Sequence, residues 1–291
     1  MQDSLGFTLD ESAAFTTPPG VIIYGPPGIG KTTSIAQAFQ NALYLCSKPN
    51  ILAPYGSWWD DQKAKGNKDI LKYRPYDPRA GALPPLARYD VSKGAATAKG
   101  LSTRNFLGAI LSRIAEGAIK GVRPYTTVVM DEMTDISNRV LLDFQSDPAL
   151  SGKGGKTDGW AVAAALKEWH RNLMSFPSVT GIAMVTVCHS REPSYFGTQD
   201  QKIATDKRGA LQYKGGPSYA YGSLVEPMCA DADFVIQLLP ESDGLGPTKR
   251  YMFTEVDELW ARKARDFRIP AKVEMTEASL QKLLQGINLK F

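Results

Sequence analysis

Val21-Ile22-Ile23-Tyr24-Gly25-Pro26-Pro27-Gly28-Ile29-Gly30-Lys31-Thr32-Thr33 is the stretch on which the fold turns. Val21 to Tyr24 read as a short buried strand. After Lys31, the residues Thr32, Thr33, Ile35, Ala36 and Phe39 follow at helical spacing. Between strand and helix, glycines let backbone amides wrap an anion, and the helix N-terminus adds partial positive charge. Gly25, Pro26, Pro27, Gly28, Ile29, Gly30, Lys31, Thr32 and Thr33 therefore form a cradle for a polyphosphate. Lys31 is placed to reach the β- and γ-phosphates and the Thr32 hydroxyl to ligate magnesium, so ATP and Mg2+ are the expected ligands.

Such a site also needs a carboxylate at the end of a neighbouring strand. Thr126-Thr127-Val128-Val129-Met130 is a β-rich run that ends on Asp131-Glu132. Asp131 is the expected metal holder, and Glu132 sits where a general base polarises the attacking water. The next apolar strand, Thr180 to Val187, ends at Cys188-His189-Ser190, which brings His189 to the same rim as a candidate sensor of the γ-phosphate. Late in the chain, Lys263 and Arg265 lie on one side of an extended segment and are candidates to reach phosphate oxygens.

Working outward, further strands are predicted at 43–46, 87–91, 232–239 and 250–256, and helices at 104–120, 135–147, 160–175 and 276–285. Phe106, Ile110, Ile114 and Ile119 are the expected anchors of the second of these helices, counting the one that starts at Lys31. The alternation predicts an α/β fold with a mostly parallel central sheet and helices on both faces, in one domain over 1–291 with its core at about 20–270. Residues 47–86, rich in Pro, Gly, Asp and Lys and containing Trp58-Trp59, read as a long insertion.

With 43% hydrophobic and 22% charged residues, the chain has enough apolar material for a full core. A formal charge of +4 permits an anionic partner without requiring one, so a nucleic-acid reading must rest on where the cations sit. Cys46, Cys188 and Cys229 lack the close pairing of a zinc or redox motif and read as buried free thiols. No apolar run approaches the roughly 20 residues of a membrane span and no secretory pattern opens the chain, so the expected location is cytoplasmic, with no membrane partner.

On these motifs, from Gly25–Thr32 through the Asp131 strand, Thr186-Val187-Cys188-His189 and Lys214-Gly215-Gly216-Pro217 to Lys263-Ala264-Arg265, the chain resembles the RecA-like P-loop ATPases. The likeness is to the small core-only versions encoded by bacteriophages, which act in recombination and replication. It implies a DNA-stimulated ATPase, a homo-oligomeric ring or filament, and a host cytoplasm as its setting. It makes Lys263 and Arg265 candidate fingers entering a neighbouring subunit's site, and His189 the link between γ-phosphate and a nucleic-acid loop. It also directs Ser151–Gly159 and about 190–222 toward single-stranded DNA. Lys153, Lys156, Lys207, Arg208 and Lys214 are the expected phosphate contacts, interleaved with Tyr213, Tyr219 and Tyr221 for base stacking.

Two features depart from that pattern. Glu132 directly after Asp131, and the Gly-Pro-Pro-Gly loop, look more like AAA+ ATPases. The second reading is therefore a remodelling or loader ATPase acting on a protein. A kinase fits less well, because a strand-end Asp-Glu pair suits activation of water rather than transfer to an acceptor hydroxyl.

Overall fold

The computed structural model describes residues 17–39, 42–46, 64, 74–75, 87–90, 102–123, 125–152, 157–195, 211–220, 225–242, 248–255, 259–264, 269–276 and 279–285. Five strands, whose described side chains are nearly all apolar at their centres, pair in parallel to form the middle of one sheet. These are β1 (Gly20–Gly25), β2 (Ala42–Cys46), β5 (Thr127–Asp131), β6 (Ala183–Arg191) and β10 (Phe234–Glu241). β3 (Arg74–Pro75) and β4 (Ala87–Asp90) extend it beyond β2, β7 (Ser194–Tyr195) and β8 (Leu211–Tyr213) form a separate antiparallel pair, and β9 (Gly216–Pro217) pairs with the end of β6. On the other flank the antiparallel strands β11 (Lys249–Phe253), β12 (Lys263–Ala264) and β13 (Lys272–Glu274) close it, giving the order β13-β11-β10-β1-β6-β5-β2-β4-β3 with β12 beside β10. The expected fold class, an α/β P-loop architecture with a mostly parallel sheet, is thus present.

Residues of β1 alternate between two cores because successive strand side chains point to opposite faces. Ile22 and Tyr24 join the core under α2 (Thr103–Ile119), α3 (Met133–Gln145), α4 (Gly159–Thr180) and α5 (Val225–Asp231). Val21 and Ile23 join the opposite core, covered by α1 (Lys31–Ala38) and α6 (Ser279–Gln285). Helices lie on both faces, as the alternating pattern predicted.

Several boundaries differ from the sequence reading. α4 runs to Thr180, past Pro177, and ends on a left-handed Gly181 (φ 67°) whose N–H donates to the Pro177 carbonyl. Proline in a last turn costs one helix hydrogen bond, which the long buried face of α4 outweighs. β6 consequently begins at Ala183 rather than at 180, and continues to Arg191. Within α2 the buried face is Leu107, Ile110, Ile114 and Ala118, while Ile119, expected as an anchor, is 71% exposed. At 100° per residue it lies one step round from Ala118 and leaves the apolar stripe. α5 was not predicted; its seven residues, VEPMCAD, are too short to show a period. Apart from 64 and 74–75, the insertion at 47–86 lies outside the described residues, Trp58 and Trp59 included.

Beneath the sheet, His170 of α4 is fully buried, its Nε2 3.1 Å from the Tyr219 hydroxyl and the two rings edge to face at 5.1 Å. Desolvation lowers the imidazole from its ordinary 6.5 to about 3. A histidine held neutral in the fold takes up a proton only on unfolding as pH drops below 6.5, so its contribution is complete above that value and is lost progressively down to about 3. Between pH 7.5 and 5.5 this one group should cost about 1.4 kcal/mol of stability. Urea unfolding at the two pH values measures it, and His170→Gln, which keeps a polar partner for Tyr219 without a titration, should remove that part of the difference.

Candidate active site

The end of β1 approaches its neighbour so closely that a Cβ on Gly25 would stand 2.5 Å from the Leu238 carbonyl oxygen. Only glycine fits there, which explains the first glycine of the motif. At the other end of the loop Gly30 has φ 98° and precedes α1, whose first residues are Lys31, Thr32 and Thr33. Lys31 curls back over the loop, its Nζ donating to the Gly25 and Pro26 carbonyls at 2.8 Å each. Burial pulls this ammonium below its ordinary range, with Asp131 opposing the shift.

β6 lies between β1 and β5, yet Thr32 and Asp131 meet across it: the Thr32 hydroxyl donates to Asp131 Oδ2 at 3.3 Å. Asp131 is buried, and desolvation pushes its carboxyl up to about 7 against the hydrogen bonds from the Glu132 N–H and Thr32. A buried carboxyl beside a hydroxyl is a hard oxygen pair, the donor set that a divalent cation with phosphate ligands takes.

Glu132 follows in a left-handed conformation (φ 60°, ψ 50°), the only non-glycine with positive φ among the described residues. For a residue with a side chain this costs on the order of 1 kcal/mol, and such strain gathers at functional sites. The turn starts α3 and directs the Glu132 carboxylate toward His189, with Oε1 and Nε2 3.7 Å apart. The His189 backbone N–H donates to Thr134 Oγ1 at 3.0 Å, tying the tip of β6 to the first turn of α3. Together these groups line a cavity of about 350 Å3 with Pro27, Gly28, Gly30, Lys31, Thr32, Thr33, Asp131, Glu132, Val187, Cys188 and His189. The structure therefore brings the expected cradle, metal-holding and base residues to one place, and His189 with them.

Other expectations separate. Lys263 on β12 donates to the Ala230 carbonyl at 2.6 Å and to that of Ala232, at the end of α5 in its own chain. Tyr219, read as a base-stacking residue, is 5% exposed and occupied with His170, so it offers no face to a nucleic acid. Alternation of tyrosine with cations suggested an exposed loop, but Gly216-Pro217 pairs with Ser190-Arg191 and carries Tyr219 inward. Lys214 lies 3.9 Å from Glu226. Arg265, Lys153, Lys156, Lys207, Arg208 and Tyr221 lie outside the described residues. Cys188 and Cys229 are buried free thiols as expected, Cys188 pushed up to about 12 by burial. Among the described residues no helix is long and apolar enough to cross a membrane.

Sequence reasoning missed Arg250. It sits on β11, far from any motif, yet its Nη1 donates to the Ile29 carbonyl of the loop at 3.3 Å. Only the strand order, not the sequence, shows that β11 comes within reach of the cradle.

The phosphate loop at the end of β1, the buried aspartate two strands away and the adjoining glutamate define a P-loop ATPase. A family model described as "AAA domain" matches residues 17–265, and the chain belongs to that family of nucleotide-binding, nucleotide-hydrolysing domains. A comparison with curated proteins finds no match.

Gly25→Ala should force the β1 end away from Leu238 and destabilise the fold by roughly 1–3 kcal/mol through overpacking. The urea midpoint should fall accordingly, and a calorimetric titration should show nucleotide affinity falling with it.

Proposed function

We propose that this chain is a magnesium-dependent ATPase acting on single-stranded DNA as a homo-oligomer, in recombination or replication of the kind that phages carry out. The observation that carries the hydrolytic part is the convergence of Lys31, Thr32, Asp131, Glu132 and His189 on one cavity. ATP supplies the phosphoanhydride and magnesium withdraws charge from the phosphates when both are bound. Thr32 and Asp131 are the residues to hold the metal, directly or through water. Lys31 leaves its two carbonyl partners for the phosphates, and the loop amides orient them. The Glu132 carboxylate takes a proton from the attacking water, while His189, within 3.7 Å of that carboxylate, orients it and registers the terminal phosphate.

Two observations support a single-stranded partner. Trp160, in the first turn of α4, is 89% exposed and follows the segment that contains Lys153 and Lys156. An open indole a few positions along the sequence from two lysines suits base stacking with phosphate contact. Secondly, β9 (Gly216–Pro217) pairs with Ser190-Arg191 at the β6 end that carries His189, and the sequence between those two pairs holds Lys202, Lys207 and Arg208. Nucleotide and partner would thus address the same strand end. The trans finger falls to Arg265, because Lys263 is engaged within its own chain.

The second reading, a remodelling ATPase with a protein partner, is favoured by the direct Asp131-Glu132 succession and by membership of the AAA domain family. Turnover with and without single-stranded DNA separates the two: stimulation supports the first, and its absence, with stimulation by a protein instead, supports the second.

Lys31→Ala should abolish hydrolysis, and Glu132→Gln should retain ATP binding with turnover reduced by about 10²-fold or more. Steady-state phosphate release and equilibrium binding check this, and normal turnover of Glu132→Gln would move the base elsewhere. For the DNA site, joint alanine replacement of Lys153, Lys156, Lys207, Arg208 and Lys214 should flatten the dependence of log affinity on log salt by about 0.7 per lost contact. Trp160→Ala should weaken single-strand binding by roughly 1–3 kcal/mol. Fluorescence anisotropy across a salt series reads both, and unchanged slopes would remove these loops from the interface.

A further inference from the structure

Thr32, Asp131, Glu132 and His189 all lie on one side of β1, toward β5, and on the proposed reading they receive the metal and the terminal phosphate. An extended nucleotide whose terminal phosphate points that way runs its nucleoside end toward the opposite flank, where β10 and β11 stand. On that flank a single described cation lies against the loop. Arg250 Nη1 is 3.3 Å from the Ile29 carbonyl oxygen, and a Cβ on Gly30 would come within 2.8 Å of it. Strand alternation accounts for this position. Arg250 shares its face with Met252, which is buried in the core beneath α1, while Lys249 is turned to Glu274.

The contact with Ile29 is at the long end of the hydrogen-bond range and uses one of five guanidinium N–H groups. Among the described residues Arg250 forms no ion pair, and it is exposed. A planar cation in this setting has donors and a ring-stacking face to spare.

Resting on the nucleotide-binding reading of the cavity, we propose that Arg250 is a binding residue for the nucleoside half of the nucleotide. Its guanidinium packs on the purine base and its remaining N–H groups face the ribose, while the loop and Lys31 hold the phosphates. Arg250 therefore adds affinity for a nucleotide over a bare polyphosphate.

Calorimetric titration of the full chain with ATP, ADP and inorganic tripolyphosphate, each with magnesium, tests this in wild type, Arg250→Ala and Arg250→Lys, with melting of the ligand-free proteins as the control for folding. Arg250→Ala should lose about fivefold to tenfold in affinity for ATP and ADP and none for tripolyphosphate. Arg250→Lys, which keeps charge but not the planar fork, should recover only part of the loss. Equal weakening of ATP and tripolyphosphate would make Arg250 a brace for the Ile29 carbonyl and overturn the assignment, as would unchanged ATP affinity in both variants. If wild type binds tripolyphosphate and ATP equally well, the nucleoside contact is likewise refuted while the phosphate cradle stands. Should wild type bind neither, the nucleotide reading itself falls and the Arg250 assignment with it.

Discussion

The 3.3 Å hydrogen bond from the Thr32 hydroxyl to Asp131 is the contact on which the site depends. It joins the first turn of α1 to the end of a strand that does not neighbour β1, because β6 separates them in the sheet. Only a twisted sheet of this strand order, with α1 starting directly above β1, lets the two meet. Asp131 tolerates complete burial there because Thr32 and the Glu132 N–H donate to it, and the remaining desolvation shows in a carboxyl raised to about 7. A carboxylate in that condition gains from a nearby cation, so the site's architecture and its expected metal answer the same electrostatic need.

The left-handed turn at Glu132 follows from the same arrangement. β5 must end at Asp131 and α3 must begin at once, with Met133 and Ile136 turned into the core. The single residue available for the bend is Glu132, and the bend sets its carboxylate beside His189 rather than in solvent. In this chain the Asp-Glu succession that looked AAA+-like and the strand-end histidine that looked RecA-like belong to one constellation.

How much of this was legible beforehand depends on range. The cradle could be read because strand, loop and helix are contiguous, and Asp131 because a β-branched run ending in a carboxylate is a local signal. His189 could be placed at a strand end, but not its distance from Glu132, which depends on β5 and β6 being neighbours. Arg250 carried no signal, since its significance comes wholly from the antiparallel return of β11 beside β10. Tyr219 misled for a related reason: the stretch around it reads in sequence as an interleaving of tyrosines and cations, while its spatial neighbour is His170, 49 positions away. Helix ends were blurred where proline and glycine sit near a terminus, as at Pro177 and Gly181, because burial of the remaining face decides how far the helix runs.

The tip of β6 is stitched on two sides. Its His189 N–H is held by Thr134 in α3, and its His189 carbonyl accepts from the Ser218 N–H of the returning segment. That segment is itself anchored, with Gly215 exchanging backbone hydrogen bonds with Leu259 and Ala261 around Trp260. A Cβ on Gly215 would meet the indole at 2.6 Å, so little play is left between them. The histidine rim is thus held by main-chain bonds on both sides, so the place of the imidazole beside Glu132 is set by the backbone of α3 and of the Gly215–Trp260 segment together.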